Sequence, residues 1–201
     1  QWNALVDHLR GTAEMLTEPA DRFNALVKAA EILEGELGRD GDAASLLQTA
    51  VELAPEAADT AEHLAELLAR TGDTQRLHAH YRAWIDRSDP GEAPRLRVRL
   101  ATSLLASPGT ALSGVEELHN LIANGDEVGL ARDALDTLLL DEERAGGRWR
   151  PAIDAGISAV EATEPTPLAA SRKAVLSEAR VRVVPLGPER RDARLEAAEA
   201  W

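Results

Sequence analysis

No cysteine occurs among the 201 residues. That absence excludes disulfides, thiolate zinc sites and cysteine nucleophiles, and it leaves the redox compartment undecided. Aromatic bulk is almost as scarce, with four tryptophans, one tyrosine and one phenylalanine. The apolar interior must therefore be built from Ala, Leu, Val and Ile. Alanine has the highest helix propensity and lets helix backbones approach closely, so an all-α fold is the natural reading. No apolar run approaches the ~20 residues of a membrane-spanning helix, and the opening residues lack the pattern of a secretory signal.

Positive charge is also short. Against 35 acidic residues stand 22 basic ones, a formal net charge of −13. Such a field repels phosphate backbones and anionic lipid surfaces, so neither nucleic acid nor membrane is an expected partner. The expected compartment is cytoplasmic. The Ala- and Arg-rich composition, with Lys28 and Lys173 the only lysines, is of a bacterial type.

What is present is helical periodicity along the whole chain, with no sustained strand-like alternation. Prolines and glycines fall between the periodic runs: Pro19, Gly38 to Gly41, Pro55, Gly72-Asp73, Pro90-Gly91, Pro108-Gly109, Gly125, Gly146-Gly147, Pro165 to Pro167 and Pro185 to Pro188. Proline cannot continue a helix, and glycine accepts the left-handed C-cap. Asp42, Asp73 and Thr110 stand where an N-cap oxygen would accept from free amides. About eleven helices result, each roughly 13 to 18 residues long.

The pattern repeats. Ala43, Leu47, Ala50 and Pro55 recur 34 residues later as Leu77, Tyr81, Trp84 and Asp89, and after another 34 as Ala111, Val115, Leu118 and Ala123. The same set precedes them at Leu9, Ala13, Leu16 and Asp21, and follows at Ile153, Ile157, Val160 and Pro165, with extra residues in the loop 141–149. Partner helices carry a looser version: Leu26, Ala29, Ala30 and Leu33; Ala61, Leu64, Ala65 and Leu68; Val98, Ala101 and Leu105; Ala131, Ala134, Leu135 and Leu138. A fixed period of this size is the mark of a stacked array of helical units.

The stretch 58–90 resembles a tetratricopeptide repeat. Ala61, Leu64, Ala65 and Leu68 lie on its first helix, Thr71-Gly72-Asp73 form the turn, and Leu77, Tyr81 and Trp84 lie on its second. The resemblance implies an all-α superhelix, a solenoid of about five antiparallel helix hairpins. The expected organisation is the second helix of a truncated preceding repeat at 1–17, an array at 18–165, and a degenerate final hairpin at 166–201. Both ends look cut, so further repeats or domains of the same polypeptide are expected partners.

The resemblance also implies a concave groove lined by first helices, holding a partner peptide or helix. Groove-facing candidates are Asn24, Lys28, Glu31, Glu62, His63, Glu66, Arg99, Ser103, Arg132 and Asp136. The competing reading is the solvated face that every amphipathic helix possesses. The lysine- and asparagine-based carboxylate clamp of the family is not reproduced here.

Other constellations point away from chemistry. The five histidines, His8, His63, His78, His80 and His119, read as surface or cap residues, and His63 with Glu66 is an incomplete metal pair. Glu116-Glu117 and Asp141 to Glu143 are adjacent carboxylates on polar faces or in a loop, not a pair held in a cleft with divergent pKa values. Residues 95–99, RLRVR, and the arginines within 178–194 are the basic clusters. Trp84 reads as core, and Trp149 as a staple for the preceding loop. No catalytic residue, metal or cofactor is expected. Three functional classes remain: an interaction scaffold, a regulatory domain of a flanking enzyme or DNA-binding domain, and a structural subunit of an assembly.

Overall fold

The computed structural model describes residues 1–106, 109–125, 129–131, 133–134, 149–162, 166–184 and 187–201. Among these residues the fold is all-helical, without strands. Ten helices are described: α1 (Trp2–Met15), α2 (Pro19–Gly35), α3 (Asp40–Leu53), α4 (Ala58–Thr71), α5 (Thr74–Arg87), α6 (Ala93–Leu105), α7 (Ala111–Asn124), α8 (Trp149–Glu161), α9 (Pro167–Val183) and α10 (Pro188–Ala200). No helix of the described residues is long and apolar enough to cross a membrane.

The chain divides into two compact units, Gln1–Ser88 and Asp89–Trp201. In the first, α1 to α5 each pack on the next in sequence. Ala13 of α1, Leu26 of α2 and Ala50 of α3 share one buried cluster, so the apolar core runs on from helix to helix. In the second unit one cluster joins α6, α7, α8 and α9 through Leu105, Leu118, Leu121, Ile153 and Leu176. Each fully buried leucine contributes roughly 1.5 to 3 kcal/mol relative to exposure.

The repeated positions are interior positions. Ala43, Leu47 and Ala50, their counterparts Leu77, Tyr81 and Trp84, and then Ala111, Val115 and Leu118 are all buried. Helices α3 and α5 begin 34 residues apart, whereas α7 begins three residues later than that spacing requires. Tyr81 and Trp84 lie nearly parallel, with ring centroids 6.4 Å apart. Trp84 is therefore core, as its register requires. Trp149 is the first residue of α8, and the loop that it is expected to staple lies outside the described residues.

The turn between α4 and α5 shows how three residues reverse the chain. Thr71 Oγ1 donates to the carbonyl of Leu67 at 2.9 Å. Gly72 takes φ 72°, which costs a side chain strain but glycine little, and the Asp73 amide then reaches back to the Leu68 carbonyl at 3.0 Å. Asp73 next caps α5, its Oδ1 accepting from the Arg76 amide at 3.1 Å. The other two expected caps differ. Asp42 lies inside the first turn of α3, which starts at Asp40, and there its charge faces the positive helix end. Thr110 does occupy the N-cap position of α7, but its hydroxyl donates to Leu104 across the loop at 2.7 Å.

Helices α6 and α7 cross closely at Gly114. A Cβ there would lie 2.7 Å from the Ala101 carbonyl oxygen and 2.8 Å from Leu105 Cγ. Gly11, within α1, has nothing within 4 Å of the equivalent position. The two glycines should respond oppositely to alanine. Gly11→Ala is expected to stabilise by about 0.5–1 kcal/mol through helix propensity alone. Gly114→Ala is expected to destabilise by about 1–3 kcal/mol, because the backbone oxygen that it meets cannot move cheaply. Urea denaturation followed by circular dichroism checks both signs.

Candidate functional site

Helices α2 and α4 each set a buried stripe against an opposite polar face, as amphipathic helices do. On α2, Asn24, Lys28 and Glu31 follow one another at spacings of four and three and are all exposed. On α4, Glu66 is exposed while Glu62 and His63 are half-buried.

The two helices are joined along one edge by a cluster of charge. Glu34, near the end of α2, holds two groups of α4: His63 Nε2 lies 2.6 Å from its Oε2, and Arg70 Nη2 donates to its Oε1 at 2.5 Å. A carboxylate only accepts, so His63 carries its proton on Nε2. Arg70 Nε donates in turn to Asp40 Oδ2 at 2.7 Å. One guanidinium thus ties α2, α3 and α4. Its position in the last turn of α4 and that of Asp40 in the first turn of α3 both suit the helix dipoles.

Arg70, and His63 secondarily, hold the Glu34 carboxyl below its usual value, against an opposing effect of burial. The two carboxylates hold Arg70 firmly charged. Because 53% of the Arg70 side chain remains exposed, solvent screens these pairs and they add little stability. The cluster therefore sets the register of α2 against α4 more than it stabilises them.

The remaining candidates distribute as follows. Asn24, Lys28, Glu31 and Glu66 make no hydrogen bond or ion pair with other described residues. The charge of Glu62 acts on His80. Arg99, in the second unit, is exposed, and the half-buried Ser103 already donates its hydroxyl to the Leu100 carbonyl at 2.8 Å. Arg132 and Asp136 lie outside the described residues. Of the basic clusters, Arg97 sits 3.7 Å from Glu117 across α6 and α7.

Glu34, Asp40 and Arg70 were not among the sequence candidates. A signal for them exists in the composition: between Arg39 and Arg70 the chain has seven carboxylates and no lysine or arginine. The cation that ends such a run attracts carboxylates from neighbouring elements.

The histidines overturn an expectation. His78, His80 and His119 are buried, at 6%, 3% and 5% exposure. His78 and His80 point to different sides of α5, but α5 is covered on more than one side. His80 Nε2 lies 2.9 Å from the Ala61 carbonyl of α4, and Arg76 Nη2 reaches the Ala44 carbonyl of α3 at 3.4 Å. His78 Nε2 is buried without a hydrogen-bond partner. Desolvation pushes His80 below its usual 6.5, partly offset by the Ala61 carbonyl. Among the described residues no group of three or more His, Asp or Glu is placed to hold a metal.

No protein-family model, curated protein or solved structure matches this chain.

Both depressed groups make the first unit sensitive to acid. A folded-state pKa below the unfolded one contributes stability that is present above the unfolded pKa and lost as pH falls through the folded value. For His80 that loss begins below 6.5, and for Glu34 below 4.5. His80→Gln should therefore flatten the decline in urea midpoint between pH 7.5 and 5. Glu34→Gln should cost ~1 kcal/mol or less at pH 7, with the difference closing in stronger acid.

Proposed function

We propose that the chain is a non-catalytic protein–protein interaction scaffold, a tetratricopeptide-like solenoid that binds a partner peptide or helix on the face lined by α2 and α4. One observation carries the reading. Helices α3 and α5 begin 34 residues apart and bury the same register positions, and the helices that precede them, α2 and α4, are tied side by side through Glu34. That is the arrangement expected of first helices in successive stacked hairpins. The same two helices carry Asn24, Lys28, Glu31 and Glu66, exposed and without partners among the described residues. Preformed helices with polar side chains left over present a rigid surface at little ordering cost, which favours affinity for an extended segment.

The acidic excess supports a choice of partner character. The run 40–69, which contributes α3 and most of α4, has carboxylates but no lysine or arginine. Complementary, basic segments would be steered toward it, and their association would weaken with salt.

The test is a comparison of partner capture by the chain and by a triple variant, Lys28→Glu, Glu31→Lys and Glu66→Lys. These positions are exposed, so the fold should survive, as circular dichroism would verify. At least a tenfold loss of affinity is expected, about the effect of removing one or two charged contacts. Unchanged capture would remove this face from the proposal.

A further inference from the structure

A cleft of about 520 Å³ opens within the second unit between α8, α9 and α10. Its floor is one face of α9, where Lys173, Ser177 and Arg180 follow at spacings of four and three. Its walls carry Asp154 and Glu161 from α8 and Glu196 and Glu199 from α10.

The two floor cations are already spent. Lys173 Nζ lies 2.7 Å from Glu161 Oε1. Arg180 Nη1 bonds Glu196, while its Nε lies 2.9 Å from Asp154 Oδ1, too poorly aligned to make a hydrogen bond there. Two groups are left over. Glu199 has no ion-pair partner among the described residues. Ser177 is only 5% exposed, yet its hydroxyl lines the cleft and makes no hydrogen bond with a described residue. Its oxygen is not sealed from solvent, so it reaches the cleft and is free to accept from a ligand donor there.

Four carboxylates against two cations leave the cleft negative, and its free groups are a carboxylate and a hydroxyl. We propose that this cleft binds an alkylammonium group. An ammonium brings three donors and no acceptor, matching Glu199 and Ser177 Oγ, and its stem has Ile157 and Ala200 to lie against. The volume falls within the range of small-ligand sites. A free polyamine and the lysine side chain of a peptide share this chemistry. The site lies in a different unit from the α2–α4 face and does not depend on the repeat reading.

Calorimetric titration of the full chain with spermidine, and separately with the blocked peptide acetyl-Ala-Lys-Ala-Lys-Ala-amide, tests the assignment. One-to-one binding of either is expected. Glu199→Gln should weaken it about tenfold and Ser177→Ala severalfold, because each removes one acceptor for a charged donor. Glu56→Gln, an exposed carboxylate of the first unit, should leave it unchanged. Binding of spermidine alone assigns the site to free polyamines, binding of the peptide alone to a lysine-bearing segment, and binding of both to the ammonium group itself. The proposal is overturned if neither probe binds, if Glu199→Gln binds as tightly as the parent, or if Glu56→Gln weakens binding as much as Glu199→Gln. Glu199 is exposed, so its variant tests the site even where Ser177→Ala disturbs folding.

Discussion

Close approach of neighbouring helices is the constraint on which this structure depends. With four tryptophans, one tyrosine and one phenylalanine in the whole chain, aromatic packing is confined among the described residues to the group around Tyr81 and Trp84, and most apolar area has to be removed from water between helix pairs. Alanine and glycine at the crossings make this possible. Ala29, Ala30, Ala43, Ala44, Ala50, Ala61 and Ala101 are completely buried, and Gly114 leaves no room for a methyl group against α6. The buried leucines fill the remaining space between the helices. No helix in this arrangement has a core of its own, which is why sequence neighbours supply each other's partners.

Polar side chains finish what packing begins. In each unit one arginine links three helices: Arg70 joins α2, α3 and α4, and Arg180 joins α8, α9 and α10. Both serve more than one carboxylate, which a chain with so few cations and so many acids makes natural. Exposed pairs of this kind add little stability, so their role is to fix which polar faces lie side by side. His80 contributes in the opposite way. It is buried as a neutral ring between the Ala61 carbonyl and the Trp84 ring, with centroids 5.6 Å apart, and is held neutral by exclusion of water.

These two devices create two different surfaces. The α2–α4 edge presents exposed side chains beside an internally satisfied charge cluster, which suits a broad, shallow contact. The α8–α10 cleft is concave and offers a hydroxyl that bonds no described residue, which suits a defined group. The proposals of an interaction scaffold and of an ammonium site rest on that difference in shape and in hydrogen-bond satisfaction.

Much of the fold was legible from the sequence. Helical periodicity, the breaks at proline and glycine, the turn Thr71-Gly72-Asp73 and the burial of the 34-residue register are all local consequences of side-chain shape and backbone freedom. Asp73 as an N-cap was equally local. Asp42 was misassigned, and Thr110 takes the expected N-cap position without the expected cap bond, because a short polar side chain serves a cap, a helix dipole or a loop carbonyl equally well, and neighbouring elements decide which. The same limit applies to the charge cluster. Glu34 and Arg70 are 36 positions apart and Arg180 and Glu196 are 16 apart, so no helical spacing relates them. The sequence by itself determined where helices form and which stripe each one buries, because both depend on residues within a turn or two. Only the tertiary structure decided that three histidines are interior and that Ser177 faces a cleft, because burial and satisfaction depend on what a distant helix covers.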